Sequence, residues 1–492
     1  MARFIPAQIK AWTGGELLQT DLSRENIENF YRGISTDTRD LRPGELFLAL
    51  RGDNFDGHDF VQQAIKLGAA CLVVEKHSNI GQQFYHHFDR KSSLPDVLLV
   101  DDSLVAYGQI AAGYRQTLLA SVIAITGSVG KTTTRRMVSE VISRQVCTHE
   151  TVKNQNNLIG VPLTILEASD DDDVIVAELG VDRPGEIKRL SEISRPDIAI
   201  LTSIGYSHAA YLGSRENILK EKTDIIYGMK PNGLILINGQ DDALRNWAAE
   251  TETGLFIWSI TNEPPQEDRY DRLPCFWAEN VVLTQHSTSF EAHTDLDPTQ
   301  VLQVTIPAPG KYLVRAALFA LASAYALGLD MQQAALDCGQ FHNTGNRQNI
   351  IEVGDLLLVD DSYNASPESV ISGLETLELL GETRERTVAC LAGIRELGKY
   401  TEELHRHIAD WLVEHPVDQL FLVGPEMSYL AQGLREAGSE IPFSIYERTD
   451  DLIQDLEGQL RAGDIILLKG SRFYQMEKVH IALSEGTIRL VK

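Results

Sequence analysis

One short stretch constrains the fold more than any other: Ile125-Thr126-Gly127-Ser128-Val129-Gly130-Lys131-Thr132-Thr133-Thr134. The apolar segment Val122 to Ile125 enters it, and a segment with helical spacing, Arg135 to Ser143, leaves it. A glycine-rich loop between a strand and a helix wraps its backbone around phosphate oxygens, and the helix N-terminus points free N–H groups at them. The sequence therefore predicts an α/β domain with a nucleotide site.

The residue types of this loop suit a nucleoside triphosphate with its metal ion. Lys131 supplies a point charge for the terminal phosphates, and the Thr132 hydroxyl is a ligand for Mg²⁺. Ile125 stands where GxxxxGK[ST] has its first glycine, so an ordinary glycine-rich turn is the alternative. The intact Gly-Lys-Thr and both flanks favour the nucleotide. We expect contacts from all of the following residues: Thr126, Gly127, Ser128, Val129, Gly130, Lys131, Thr132 and Thr133.

Short Val/Ile/Leu runs alternate with amphipathic stretches along the chain, which is typical of parallel α/β sheets covered by helices. Strands are predicted at Val122 to Ile125, Ile198 to Leu201, Leu234 to Ile237, Leu356 to Val359, Val388 to Leu391 and Ile465 to Leu468. At about 150 residues per domain, a chain of 492 residues suggests about three domains. We place them at 1–115, 116–344 and 345–492.

Charge and cysteine usage exclude several classes of protein. The formal net charge of −26 repels phosphate backbones, so we expect no nucleic-acid partner. The five cysteines are scattered without a CxxC pair, which argues against a disulfide framework and favours a cytoplasmic protein. Ala316 to Leu329 is the most apolar helical run, and it is too short for a membrane span. We expect a monomer without a membrane span.

The shortened loop resembles that of the Mur ligases, and further motifs in the same order extend the resemblance over nearly the whole chain. It implies a three-domain α/β architecture: an N-terminal domain for a UDP-linked substrate, a central P-loop parallel-sheet ATPase domain and a Rossmann-like C-terminal ligase domain. It also implies ligation of D-alanyl-D-alanine to UDP-N-acetylmuramoyl-tripeptide, through an acyl phosphate made with ATP, for peptidoglycan synthesis.

The resemblance assigns the UDP-linked substrate to two N-terminal motifs, Ser-Thr-Asp-Thr-Arg and Asp-Gly-His. Their candidate binding residues are Ser35, Asp37, Arg39, Asp56 and His58. Hydroxyl, carboxylate and guanidinium groups suit a ribose, a uracil and a diphosphate. Taken alone, Ser-Thr-Asp-Thr is more often a turn or a helix cap.

Two Mg²⁺ ions are expected from the resemblance. Thr132 and Glu178 would hold one ion, since Mg²⁺ prefers hard oxygen ligands beside phosphate. His208 would hold the other ion together with Lys222, which relatives carry as a carbamate. Without the resemblance, Glu178 is a glutamate at a strand end and Lys222 is a solvated helical lysine. Lys131, Glu178, His208 and Lys222 are the expected catalytic residues.

The remaining assignments concern the substrates. The asparagine-rich loop suggests substrate contacts from Asn156 and Asn157. ATP contacts are implied for Arg347, Asp361, Tyr363 and Asn364. Ser471 and Arg472, in a C-terminal signature, are expected near the incoming dipeptide.

Four positions depart from the family pattern: Tyr312, Ala316, Ala210 and Gly393. None of them removes a phosphate or metal group, but each bears on the adenine contacts or on the substrates. Two alternatives therefore stay open. One is a paralogue that keeps the chemistry and joins another amino acid or acceptor; the other is a nucleotide-binding partner protein that has lost catalysis.

Overall fold

The computed structural model describes residues 2–19, 30–52, 55–88, 94–265, 273–343, 345–382, 386–488 and 490. Three sheets of five, nine and six strands organise these residues. One sheet lies inside each of the three predicted segments, while the bounds of the segments stay predictions. The predicted α/β class is confirmed.

The first sheet has the order β1-β5-β4-β3-β2, with β1 antiparallel and the other strands parallel. Its strands are β1 (Glu16–Leu18), β2 (Ile34–Ser35), β3 (Leu46–Leu48), β4 (Cys71–Glu75) and β5 (Asp96–Val100). Its helices are α1 (Pro6–Thr13), α2 (Val61–Lys66), α3 (Asn79–His87) and α4 (Ser103–Arg115), with a 3-10 turn at Gly57–Phe60.

The central sheet has the order β14-β13-β12-β11-β10-β9-β6-β8-β7. Its strands are β6 (Ser121–Thr126), β7 (Thr148–Glu150), β8 (Val174–Glu178), β9 (Ile198–Leu201), β10 (Leu234–Asn238), β11 (Phe256–Thr261), β12 (Cys275–Leu283), β13 (Thr288–Thr294) and β14 (Leu302–Ile306). Its helices are α5 (Lys131–Ser143), α6 (Gly160–Glu167), α7 (Glu186–Ser194), α8 (Ala209–Leu212), α9 (Arg215–Thr223), α10 (Asp242–Glu250), α11 (Tyr312–Ala326) and α12 (Met331–Asp337), with 3-10 turns at Asp224–Gly228 and Cys338–Gln340. The sheet is parallel from β7 to β12, and β13 and β14 extend it in antiparallel fashion.

The third sheet has the order β15-β16-β20-β17-β18-β19, parallel except for β15. Its strands are β15 (Asn349–Val353), β16 (Leu356–Asp361), β17 (Thr387–Ala392), β18 (Gln419–Val423), β19 (Phe443–Tyr446) and β20 (Ile465–Lys469). Its helices are α13 (Pro367–Gly381), α14 (Thr401–Glu414), α15 (Met427–Glu436), α16 (Thr449–Leu456) and α17 (Glu477–Ser484), with 3-10 turns at Gly398–Tyr400 and Arg472–Tyr474.

The helix after the phosphate loop begins four residues earlier than the spacing predicts. Gly130 has a φ of +86°, and this left-handed backbone lets α5 start at Lys131. Lys131 and Thr132 therefore lie in the first helical turn, where backbone N–H groups have no partner within the helix.

The three sheets pack into one assembly. Between the first and the central sheet, the Tyr114 hydroxyl donates a 3.0 Å hydrogen bond to the Ala168 carbonyl. Between the central and the third sheet, the Ala210 N–H donates a 2.8 Å bond to the Glu396 carbonyl, and the rings of Tyr206 and Tyr400 lie 4.9 Å apart. In the part of the chain that the structure describes, no helix has both the length and the apolar character to cross a bilayer.

Candidate active site

The phosphate loop is braced by the end of the neighbouring strand β9. Gly127 has a φ of +149°, and a Cβ there would collide with the Thr202 side chain. The Ser128 N–H donates a 2.8 Å bond to the Ser203 carbonyl, and the Val129 N–H donates a 3.0 Å bond to the Ser203 hydroxyl. This bracing fixes the loop in a shape that needs glycine at position 127.

Lys131 lies inside the loop. Its ammonium donates a 2.7 Å hydrogen bond to the Gly127 carbonyl. Burial lowers the pKa of Lys131, nearby Glu178 opposes that change, and Arg347 adds to it. A half-buried cation at the wall of a cavity suits an anionic ligand, because a phosphate beside it would offset the cost of its desolvation.

Glu178, the last residue of β8, faces the first turn of α5 and is 2% exposed. Its Oε1 accepts hydrogen bonds from the Thr132 hydroxyl at 3.2 Å and from the Asn156 amide at 2.9 Å. Its buried Oε2 has no hydrogen-bond partner among the described residues, and Arg135 Nε lies 3.5 Å away. A carboxylate oxygen that accepts no hydrogen bond, beside a hydroxyl and a phosphate loop, fits Mg²⁺.

His208 and Lys222 approach the same region from α8 and α9. His208 precedes α8 with a φ of 63°, and its Nδ1 lies 2.8 Å from a carboxylate oxygen of Glu396 in the third domain. Burial lowers the pKa of His208, and Lys131 and Lys222 lower it further.

Lys222 is 1% exposed, so the reading as a solvated lysine is wrong. Burial, followed by the charge of Lys131, holds its pKa well below the usual range. The charge of the adjacent Glu221 opposes this change, and the same carboxylate accepts the N–H groups of Gly185 and Ile187 at the start of α7.

The third domain forms the opposite wall of the site. The Arg347 guanidinium carbon lies 4.4 Å from the ring centroid of Tyr363. Asp361 and Lys469 form a buried ion pair at 2.7 Å, and Lys469 also donates a 3.0 Å bond to the Asn364 carbonyl. The pair holds the end of β16 against the end of β20, where α/β sheets place ligand groups.

Ser471 and Arg472 follow β20 on this wall. The Ser471 hydroxyl accepts a 2.8 Å bond from the Arg395 N–H. Arg472 lies 2.7 Å from a Glu477 carboxylate oxygen, and its guanidinium carbon lies 5.8 Å from the Tyr363 ring centroid. Part of the Arg472 charge is therefore already compensated.

These residues surround one cavity of about 500 Å³ between the central and third domains. The predicted residues that line it are Ser128, Val129, Gly130, Lys131, Thr132, Thr133, Asn156, Asn157, Glu178, His208, Arg347, Asp361, Tyr363, Asn364, Ser471 and Arg472. Thr126, Gly127 and Lys222 are not among the residues that line it. The Asn157 side chain accepts the N–H groups of Ile159 and Gly160 at the start of α6, so its oxygen already has partners.

The five N-terminal candidates lie in the first domain, away from the described lining of this cavity. The Ser35 hydroxyl donates to the Asp37 carbonyl at 2.8 Å, and Arg39 Nε donates to the Asp37 carboxylate at 2.9 Å. His58 is buried: its Nδ1 lies 2.6 Å from Asp56, and its Nε2 accepts the Glu75 N–H at 2.9 Å. These local bonds build the turns, and their role in substrate binding stays a prediction.

A second cavity of about 450 Å³ adjoins the phosphate loop and contains residues that the motifs do not single out. Asn238 ends β10 and is buried, and Arg215 donates a 2.9 Å hydrogen bond to the Ile204 carbonyl. Burial lowers the pKa of Arg315, which also lines this cavity. The sequence Asn238-Gly239 could have predicted a ligand group here, because α/β sheets place such groups at strand ends.

The structure shows what surrounds three of the positions that depart from the family pattern. Tyr312 lines both cavities, and Ala316 lines the second one. Gly393 leaves room for the Glu426 carboxylate, which a Cβ at that position would meet. That carboxylate accepts hydrogen bonds from Tyr474 and from Arg395, the latter at 2.8 Å. An acidic group therefore approaches Gly393 from the residue that precedes α15.

Comparisons with known proteins agree with this geometry. The "Mur ligase middle domain" matches residues 125–324, the "Mur ligase, glutamate ligase domain" matches 346–472, and the "Mur ligase family, catalytic domain" matches 30–115.

Similar proteins include the UDP-N-acetylmuramoyl-tripeptide–D-alanyl-D-alanine ligases of Bacillus subtilis and Escherichia coli. The first is 32% identical, covering 96% of this chain and 98% of the relative. The second is 31% identical, covering 98% of each. A crystal structure of MurF from Acinetobacter baumannii superposes with a TM-score of 0.82 at 28% identity over 99% of both chains. The chain belongs to the Mur ligase family.

Proposed function

We propose that this protein joins D-alanyl-D-alanine to UDP-N-acetylmuramoyl-tripeptide at the expense of ATP. One observation carries the proposal. The phosphate loop and Glu178 face Arg347, Asp361 and Arg472 of the third domain across the same cavity. Nearly full-length similarity to ligases named for that reaction supports it.

The reaction begins at the phosphate loop. The tripeptide carboxylate attacks the γ-phosphate of ATP, which gives an acyl phosphate and ADP. Lys131 and the N–H groups at the start of α5 offset the negative charge that develops on the transferring group. When Mg²⁺ is bound, it polarises the phosphate oxygens, and Thr132 and Glu178 are the residues that would hold it.

The second step takes place between the two domains. The dipeptide amine attacks the acyl carbonyl, and the tetrahedral intermediate expels phosphate. The contact of Ala210 with Glu396 and that of Tyr206 with Tyr400 hold the third domain over the cavity. A closed cavity excludes water, which would otherwise hydrolyse the acyl phosphate.

We propose further that Lys222 carries a carbamate and that the carbamate and His208 hold a second Mg²⁺. The lowered pKa of Lys222 supports this, since carbon dioxide reacts with a neutral amine and not with an ammonium. The carbamate would convert a buried neutral amine into a negative oxygen ligand. We also propose that the reaction takes place in the cytoplasm, that the two ligands are small molecules and that the chain acts as a monomer.

Incubation with ATP, Mg²⁺, UDP-N-acetylmuramoyl-tripeptide and D-alanyl-D-alanine, followed by mass spectrometry, tests the proposal. The expected product is the UDP-linked pentapeptide, formed with ADP and phosphate. Product with another amino acid only would indicate a paralogue, and nucleotide binding without any product would indicate a non-catalytic protein.

A further inference from the structure

Tyr312 lies where the two cavities meet. It is the first residue of α11, and it lines both the central cavity and the second one beside the phosphate loop. The preceding Gly310 has a φ of +137°, and a Cβ there would collide with the Tyr312 ring. The backbone is therefore shaped to let the ring fold back over the start of the helix.

The Tyr312 hydroxyl is hydrogen-bonded to the segment that connects the central and third sheets. The Asn343 amide donates a 2.8 Å bond to that hydroxyl and a 2.9 Å bond to the Gln348 carbonyl. Asn343 therefore holds the tyrosine and the far end of the connecting segment at the same time.

Gln348 continues the chain of hydrogen bonds into the third domain. It is 7% exposed, and its side chain accepts a 2.8 Å bond from Thr376 and donates a 3.3 Å bond to Ser372. Both partners lie on α13, which packs on the third sheet. A continuous path of hydrogen bonds thus joins the rim of the nucleotide cavities to α13.

The proton of the Tyr312 hydroxyl is free for a ligand. Among the residues that the structure describes, Tyr312 accepts a hydrogen bond from Asn343 and donates none. Burial raises the pKa of Tyr312, so the phenol keeps this proton. A phosphate or ribose oxygen in either cavity is the chemistry that would accept it.

We propose that Tyr312 is a positioning residue that connects bound nucleotide to the placement of the third domain through Asn343 and Gln348. A ligand shifts a conformational equilibrium only by its differential affinity for the two states. The two states here differ in whether the connecting segment lies against α11. The Tyr312–Asn343 bond forms only when it does, so a nucleotide that binds Tyr312 favours that state. The inference rests on the nucleotide-binding part of the proposed function and not on the identity of the amine substrate.

Hydrogen exchange of residues 345–350, with and without Mg-ADP, tests the inference in the full chain. Mg-ADP should slow exchange there about tenfold in the wild type, the value of one hydrogen bond of about 1.4 kcal/mol. Tyr312→Phe keeps the ring and loses the bond, so the protection should largely disappear. Tyr325→Phe is the matched control, because Tyr325 lies on the same helix and packs against Trp258 and Phe276.

Asn343→Ala provides a second variant that does not alter the cavity lining. It should lose at least the same protection, because it removes the bond to Tyr312 and the bond to the Gln348 carbonyl. The double variant should be no worse than Asn343→Ala alone, since that variant already lacks the bond that Tyr312→Phe removes. Equal protection in the wild type and both variants would overturn the inference, and so would additive effects. If the wild type forms no ligated product at all, the proposed function fails, while the exchange experiment still decides the role of Tyr312.

A second readout uses the reaction itself. Phosphate released per ligated product should rise in Tyr312→Phe, because a loosely placed third domain admits water to the acyl phosphate. A merely structural role would lower the total rate and leave this ratio at the wild-type value.

Discussion

The Thr132 hydroxyl donates a 3.2 Å hydrogen bond to Oε1 of Glu178, which joins the first turn of α5 to the end of β8. The other carboxylate oxygen is buried and has no hydrogen-bond partner in the described part of the chain. These two residues offer, beside the phosphate loop, the hard oxygen ligands that the Mg²⁺ of a bound nucleotide needs.

Glu178→Gln should therefore raise the Mg²⁺ concentration for half-maximal activity by at least about tenfold. The substitution keeps the shape of the side chain and removes its charge. Glu150→Gln is the matched control, since Glu150 is the other carboxylate that faces Arg135 but lies outside the cavity lining. Titration of phosphate release with Mg²⁺ measures the effect, and equal shifts in both variants would assign Glu178 a structural role only.

Lys131→Ala should lower turnover by about 10²- to 10³-fold, the usual loss when one donor to the developing charge is removed. The melting temperature should hardly change, because the side chain lines a cavity and its desolvation is only partly offset by the charge of Glu178. Lys66→Ala, at an exposed position of α2, serves as the control. Near-normal turnover in Lys131→Ala would place the phosphate chemistry elsewhere.

Lys222→Ala should be almost inactive and should recover in part when acetate is added, because the acid can restore a negative oxygen in the gap. Bicarbonate should not rescue it, since no amine remains to react. Lys220→Ala, on the exposed side of the same helix, should behave as the wild type. Full activity of Lys222→Ala without any additive would remove the proposed carbamate.

The buried Lys222 also predicts a pH dependence of stability. Its pKa is lowered in the folded state, so between that value and about 10.4 the unfolded state binds more protons, and stability rises with pH. Thermal melts in buffer free of carbon dioxide should show a steeper rise from pH 7 to 9 in the wild type than in Lys222→Met. Parallel curves would mean that Lys222 is not buried as a neutral amine.

Much of the fold was predictable from local pattern. The Val/Ile/Leu runs at β6, β9, β10, β16, β17 and β20 lie where the sequence places them, because strands buried on both faces are continuous apolar runs. The antiparallel strands β13 and β14 carry a weaker signal. In β14, Leu302–Ile306, buried and exposed residues alternate, and the pairing with β13 is a property of the assembled sheet.

The candidate site is easier to predict where one motif carries it than where distant segments meet. The phosphate loop is one continuous stretch of sequence, so a motif can predict its residues one by one. The contact of Tyr312 with Asn343 joins residues 31 apart in the chain, and tertiary packing brings them together. The contact of His208 with Glu396 joins two domains. No local spacing predicts such pairs.

The most direct test of the central claim is the rate of phosphate release with UDP-N-acetylmuramoyl-tripeptide, ATP and Mg²⁺, before and after D-alanyl-D-alanine is added. Release should be slow without the dipeptide and should accelerate strongly with it, whereas D-alanine or L-alanyl-L-alanine should have little effect. A site that pairs the dipeptide carboxylate, with Arg472 and Ser471 as candidates, is left with an unpaired charge when that carboxylate is missing or misplaced. Equal stimulation by unrelated amino acids, or none by D-alanyl-D-alanine, would contradict the account.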